Sequence, residues 1–231
     1  NTRFPEVHLT VDNIETGWSG LRPLILEEAA KDASSISRTH DVFVSEAGLV
    51  TIAGGKLTDY RLMAQDTFDQ ILIELEQKTG SQHEKMPTKD ISLSGGELPS
   101  DVKFDDFVVD KTKEGKELGL TEEQARKLVE WYGTNVETVF GLKDQAEQID
   151  LPLDVALSLV YGLTHEMVIS PVDFFLRRTD ILLFNTRHVE EWKPAVVAYM
   201  AEFFSWNDEK KEKWMNELNE SITQIQLTNF R

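Results

Sequence analysis

Residues 80–99 carry no hydrophobic period and hold Gly80, Pro87, Gly95, Gly96 and Pro99, so the 231-residue chain should fold as two differently built regions flanking a break. The division expected is residues 1–79, a linker or surface loop over 80–99, and 100–231. Beyond residue 100 every periodic stretch is helical. Thr121-Glu122-Glu123-Gln124 is a capping-box pattern opening a helix that ends near Tyr132-Gly133. Asp154 to Met167 is a second helical stretch, and Ser170-Pro171-Val172-Asp173 a second capping box with Pro at the favoured first position. Two longer amphipathic helices are expected over 186–205 and 208–226. The Lys- and Glu-rich run Asp208 to Lys213 reads as the solvated start of the last one.

The region before the break is mixed, which makes the chain α+β. Thr10, Asp12 and Asn13 are placed to cap a short helix carrying Ile14 and Trp18 on one face. Gly20 to Ile25 reads as a strand, with Pro23 suited to an edge. Ile36 to Ser45 contains a second extended run and Leu49 to Ala53 a third, joined by Glu46-Ala47-Gly48 as a hairpin. Gly54-Gly55 ends the third strand. A helix from Leu57 to Lys78 follows, with Leu62, Met63, Phe68, Ile71, Leu72 and Leu75 at helical spacing.

Charge and composition narrow the partners. The net charge is −17, of which residues 1–62 supply −3 and residues 63–231 supply −14. Such acidity repels phosphate backbones and anionic lipid heads, so no nucleic acid partner is expected. There is no cysteine, which excludes thiolate metal sites and a Cys nucleophile and fits a reducing, cytoplasmic setting. No run of about 18 apolar residues offers a membrane span. His8, His40, His83, His165 and His188 lack metal-ligand spacing, and no metal is expected. Arg177-Arg178 suits a salt-bridge pair between helices, and Trp192, Phe203, Phe204, Trp206 and Trp214 suit core or interface packing. The opening Asn1-Thr2-Arg3-Phe4-Pro5 is neither a signal peptide nor a natural initiator and reads as the start of an excised or processed chain.

The most informative segment is the strand-to-helix turn Ala53-Gly54-Gly55-Lys56-Leu57-Thr58. Two glycines let a backbone approach a ligand closely, and a following helix aims amides and its positive dipole end at the same spot. A phosphate fits there, as does a ring edge that gains negative charge; a purely structural turn fits as well. A Walker A loop does not, because Lys56 is followed by Leu57 and the upstream glycine is missing. Arg22 in an apolar strand, Arg38 in Ser37-Arg38-Thr39-His40, and Lys56 at the turn are three cations that either pair with nearby carboxylates or converge on an anion.

Three segments in order carry a family resemblance: Glu15 to Leu24 (ETGWSGLRPL), Ile52 to Arg61 (IAGGKLTDYR) and Glu166 to Thr179 (EMVISPVDFFLRRT). They resemble the FAD-dependent glycerol-3-phosphate dehydrogenases and their relatives, the α-glycerophosphate oxidases, and together they span essentially the whole chain. The resemblance implies that residues 1–79 are the C-terminal remnant of the mixed sheet of an FAD- and substrate-binding domain, followed by an all-helical C-terminal domain. It implies that Arg22 lies beside the flavin and holds the substrate, that Arg38 binds the substrate phosphate, and that Lys56 sits near both ring and substrate. On the same basis Arg22 and Lys56 are the catalytic candidates, and Gly54, Gly55, Lys56, Leu57 and Thr58 the cofactor-binding ones. A reduced flavin is anionic, and a helix N-terminus stabilises that charge, so the resemblance agrees with the chemistry of the turn.

Two departures from the family matter. Asp59 stands where a second Thr is common, which is favourable early in a helix. The G-x-G-x-x-G dinucleotide fingerprint is absent, so an N-terminal FAD-binding half is an implied partner and this chain alone is expected neither to hold FAD tightly nor to turn over. The implied intact enzyme oxidises sn-glycerol 3-phosphate to dihydroxyacetone phosphate. Its acceptor is expected to be O2, giving H2O2, because residues 90–140 resemble the oxidase branch; a membrane quinone is the alternative, with attachment at the membrane surface. The rival from another class is a stand-alone helical module that binds a protein partner through its acidic surface. Apolar strand edges also leave self-association into a homo-oligomer open.

Overall fold

The computed structural model describes residues 2–21, 39–84 and 87–226. The chain separates into two compact units, one comprising Asn1–Trp18 with Leu93–Arg231 and the other Ser19–Ser92. The strand expected over Gly20–Ile25 and the first part of the Ile36–Ser45 run lie, from residue 22 to residue 38, outside the described residues.

In the smaller unit, β1 (His40–Val44) and β2 (Val50–Gly54) pair antiparallel, with Val42 opposite Ile52. The link turns at Ser45, whose carbonyl accepts from the Gly48 amide at 2.8 Å. After Gly55 a 3₁₀ turn, Leu57–Asp59, runs into α1 (Tyr60–Thr79), which ends where Gly80 takes φ +70°. The hairpin packs on α1, and His40 Nε2 meets Asp66 Oδ2 at 2.7 Å to tie the first strand to the helix. None of the described residues of this unit is fully buried, and Leu49, Leu62, Phe43 and Ile73 stay about half exposed or more. Its hairpin and helix therefore bury little apolar area between them.

The larger unit holds the core. Its helices are α2 (Phe104–Glu117), α3 (Glu122–Tyr132), α4 (Val136–Phe140), α5 (Lys143–Ala146), α6 (Leu153–His165), α7 (Ile181–Phe184), α8 (Thr186–Phe203) and α9 (Asp208–Ile225). In α6, Val155, Ala156, Leu157, Leu159, Val160, Tyr161, Gly162 and Leu163 are buried around most of the circumference, as expected of a central helix. Phe174, Phe175, Leu182, Met200 and Leu218 complete the core, each without measurable exposure. Close approach of α2 to α3 depends on Gly115, where a Cβ would meet that of Ala125 at 2.7 Å. Burial of Val189, Val196, Val197 and Met200 carries α8 through Pro194, despite the lost donor.

Both expected helix starts are built as the residue types require. Thr121 Oγ1 accepts from the Gln124 amide at 3.2 Å, and Gln124 Oε1 accepts from the Thr121 amide at 2.9 Å. Ser170 and Asp173 exchange the same pair of bonds at 3.1 and 3.0 Å, opening a turn that passes into a π-helical stretch, Asp173–Arg178. One expectation is corrected. The helix foreseen through Ile14 and Trp18 is only a 3₁₀ turn, Val11–Asn13, and Ile14 is already extended at φ −86°, ψ 117°. Asn13 Oδ1 takes the Thr10 amide and hydroxyl for itself, and the backbone beyond bonds to the helices of the larger unit. Residues 80–99, expected as a linker, are pinned in places: Arg61 donates to Thr88 Oγ1 at 3.3 Å, and Gly95 O accepts from the Thr134 amide at 2.9 Å.

Candidate functional site

The Gly-Gly turn is where sequence and structure meet. β2 delivers Gly54 and Gly55, both at positive φ (78° and 82°), and Lys56 then returns to extended backbone before the 3₁₀ turn begins. Gly55 has no room for a side chain: a Cβ would meet Met63 Sδ at 2.6 Å and His40 Cβ at 3.3 Å. The Gly55 amide donates to the Thr39 carbonyl at 3.0 Å. Thr39 directly follows Arg38, and Gly55 directly precedes Lys56.

Behind the turn lies a cavity of about 670 Å³. Ile52, Met63, Ala64, Phe68 and Ile71 supply apolar lining, while Gly54, Gly55, Lys56 and Leu57 form part of its wall. This volume lies within the range of small-molecule sites, and the mixture of apolar surface with backbone groups suits a flat ring with a polar edge. The first turn of any helix leaves its leading amides without intrahelical acceptors, and here that turn begins at the cavity wall. Lys56, Leu57 and Thr58 are exposed, and among the described residues Lys56 has no ion-pair partner. The structure therefore brings Gly54, Gly55, Lys56 and Leu57 together at one cavity, with Thr58 next in the turn. Arg22 and Arg38 lie outside the described residues.

The His40–Asp66 pair beneath the turn is a feature that reading the histidines only as metal ligands misses. Its signal is a histidine opening a strand that packs on a helix carrying an acid. Among the described residues no group of His, Cys, Asp or Glu is arranged to hold a metal ion, and no helix is long and apolar enough to cross a membrane.

In the larger unit several charged groups bond to one another or to backbone carbonyls. Arg177 pairs with Asp173, and Arg178 donates to the Glu166 carbonyl at 2.7 Å. Burial disfavours the Asp173 carboxylate, but the amides of Ile169 and Ser170, the Ser170 hydroxyl and Arg177 outweigh it and lower its pKa. Burial pushes the Tyr132 phenol up to about 12, against a hydrogen bond with Ser158 that lowers it. Lys111 bridges Glu137 at 2.6 Å and Glu114 at 2.9 Å, and its bond to Glu137 leads the causes that raise its pKa.

Known proteins share this architecture. The chain is 41% identical over 226 residues to the aerobic glycerol-3-phosphate dehydrogenase of Bacillus subtilis (strain 168), which covers 96% of this chain and 40% of that protein. It is 39% identical over 231 residues to the aerobic glycerol-3-phosphate dehydrogenase of Staphylococcus epidermidis, covering 99% of this chain and 41% of the relative. The solved glycerol-3-phosphate dehydrogenase of Bacillus halodurans, complexed with FAD, superposes with a TM-score of 0.79 at 38% identity, over 96% of this chain and 42% of that one. The chain thus spans about two fifths of the length of these relatives. The sequence profile of the C-terminal domain of alpha-glycerophosphate oxidase matches residues 86–211, more than half of the chain, and the chain belongs to that family.

Proposed function

We propose that the full-length protein carrying this chain is an FAD-dependent oxidoreductase that converts sn-glycerol 3-phosphate to dihydroxyacetone phosphate. One observation carries the reading: the cavity behind Gly54-Gly55-Lys56 joins an apolar lining to the amides of a helix start. It occurs in a chain 41% identical to an aerobic glycerol-3-phosphate dehydrogenase. The residues present fit a flavin ring. Gly54 and Gly55 give the close approach, Leu57 and Thr58 offer backbone groups at the ring edge, and the start of α1 favours negative charge there.

FAD, when bound, would supply the acceptor for a hydride from C2 of the alcohol, the hydroxyl proton passing to solvent water. The chain's own residues bind and orient. Arg38 pairs with the phosphate dianion, Arg22 holds the substrate beside the ring, and Lys56 places a third cation at the cavity wall. Three positive charges suit a dianionic substrate, and guanidinium forks fix its orientation as well as its charge. That Thr39 and Gly55 share a hydrogen bond supports grouping Arg38 with Lys56.

We read O2 as the final acceptor, reduced by two electrons and two protons to H2O2, because residues 86–211 match a domain described for an oxidase. The names of the relatives, which are dehydrogenases, favour a second reading in which a membrane quinone takes the electrons. The chain alone, lacking G-x-G-x-x-G, is expected to bind FAD weakly and to be inactive. The test is to purify the full-length protein, measure its FAD, and follow O2 uptake and quinone-analogue reduction on adding glycerol 3-phosphate. Stoichiometric H2O2 supports the oxidase, and quinone reduction without O2 uptake the second reading. A protein without flavin refutes both.

A further inference from the structure

The Gly54–Gly55 turn is held in place by two side chains that do not themselves line the cavity, His40 and Asp66. His40 opens β1 directly opposite Gly54, and His40 and Val42 are the half-buried residues of that strand. The His40 Nε2 donates to Asp66 Oδ2 at 2.7 Å, since an ionised carboxylate only accepts. On α1, Asp66 follows Met63 and Ala64 and directly precedes Thr67, all three of which line the cavity. The His40 side chain is only 19% exposed, so its end of the bond is largely shielded from water.

Further contacts meet at the same place. The Gly55 amide donates to the Thr39 carbonyl at 3.0 Å, which carries the hairpin pairing one residue past Gly54. A Cβ at Gly55 would meet His40 Cβ at 3.3 Å and Met63 Sδ at 2.6 Å, so the turn is seated closely between strand and helix. The cavity wall is thus built from two pieces, the end of β2 with its turn and one face of α1. The His40–Asp66 bond joins the hairpin to that helix. None of the described residues of this unit is fully buried, so packing alone holds the two pieces loosely. A charge-assisted bond then carries a large share of their alignment.

We propose that His40 and Asp66 are positioning residues, a role that rests on the flavin reading given above. Their bond holds the Gly54–Gly55 turn against α1, and so fixes how the amides at the helix start meet the edge of the ring. Those amides favour the reduced, anionic ring over the oxidised one, and the preference depends on their alignment. The pair therefore sets the reduction potential without touching the cofactor. A through-space effect of the Asp66 charge has the opposite sign, because removing a carboxylate near the ring makes the anionic form easier to reach.

The experiment uses the full-length flavoprotein with His40→Ala, Asp66→Ala, the double variant and His40→Gln. The readouts are FAD content, the flavin midpoint potential against reference dyes, and hydrogen exchange at the Gly55 amide. Each single Ala variant is expected to keep its FAD and to exchange faster at Gly55. Each should also lower the equilibrium constant for flavin reduction at least about fivefold, which is about 20 mV for two electrons. The double variant should fall no further than the singles, as the two ends of one bond require. His40→Gln places an amide donor near the position of Nε2 and should recover most of the wild-type potential. An unchanged potential in the Ala variants overturns the positioning role, and so does a rise on Asp66→Ala. Shifts that add in the double variant, or a Gln variant no better than Ala, overturn it too. Loss of FAD does the same, because the pair would then serve assembly of the flavin site. Unchanged exchange at Gly55 overturns the hold on the turn. The dye titrations need no substrate, so a wild-type flavoprotein inert to glycerol 3-phosphate removes the substrate reading while the potentials still judge the pair. A wild-type protein without flavin overturns both.

Discussion

Gly133 lies backbone against backbone on Gly95: a Cβ built at Gly133 would fall within the van der Waals envelope of the Gly95 carbonyl oxygen and only 2.9 Å from its carbon. Gly133 also has φ +54° and ψ −134°, which side chains avoid. Gly133→Ala should therefore cost the helical unit about 2–4 kcal/mol, from clash and backbone strain together. Gly141, at φ −64° with its nearest contacts at 3.4 Å, is the control, and Gly141→Ala should be neutral or mildly stabilising. Paired thermal melts test the contrast, and equal melting temperatures for the two variants would refute it.

Asp173 predicts a pH dependence. Its folded pKa is lowered below its ordinary value of 3.8, so its contribution to stability is complete above 3.8 and disappears as pH falls from there through the folded pKa. Asp173→Asn loses the charge-assisted bonds to Ser170 and Arg177 and should be about 1 kcal/mol less stable at pH 7. The gap between variant and wild type should close on acidification below 3.8. Urea midpoints measured across that range decide it: a gap that widens in acid contradicts the assigned shift.

Thr112 offers a stabilising change. It is buried in α2, and its hydroxyl has no hydrogen-bond partner among the described residues. Thr112→Val keeps the shape and removes a desolvated polar atom, which should add about 0.5–1.5 kcal/mol. For a unit of this size the melting temperature should rise by about 1–6 °C. A fall would mean the hydroxyl has a partner in solution.

Gly55→Ala should act on cofactor rather than on the helical domain. The new methyl would push on Met63 and His40 at a turn with φ +82°, displacing the wall of the cavity. In the full-length protein we expect the dissociation constant for FAD to rise at least about tenfold, while melting of the helical domain is unchanged. Wild-type FAD affinity in the variant, read by flavin fluorescence, would separate the turn from the cofactor.

What was legible in the sequence follows from range of interaction. The starts of α3 and of the Ser170 turn are local devices, with donor and acceptor three residues apart, and α8 and α9 declare themselves by spacing. The Gly54–Thr58 turn is equally local, so the turn itself was readable, whereas the cavity beside it depends on side chains that α1 brings up from Met63 to Ile71. Thr10 and Asn13 form the expected cap, yet the helix does not propagate, because a cap lowers the cost of starting a helix without supplying a face to bury. The bond from Thr186 to Glu15 joins residues 171 apart, and the His40–Asp66 pair joins a strand to a helix face. No window of sequence contains either pair. The π-helical stretch Asp173–Arg178 differs from an α-turn only in which carbonyl each amide selects, a choice made by packing around Phe174 and Phe175.

The central claim is that Arg22, Arg38 and Lys56 act together on a phosphorylated substrate beside the Gly54–Gly55 turn. Anaerobic titration of the full-length flavoprotein with glycerol 3-phosphate, following flavin bleaching, tests it most directly. Full bleaching in the wild type is expected, with Arg22→Ala, Arg38→Ala and Lys56→Ala each raising the half-saturating concentration at least about tenfold, as loss of a charge-assisted contact implies. Glycerol without the phosphate should bleach poorly in all four proteins. Wild-type half-saturation in the three variants, or equal response to glycerol and its phosphate, would contradict the claim.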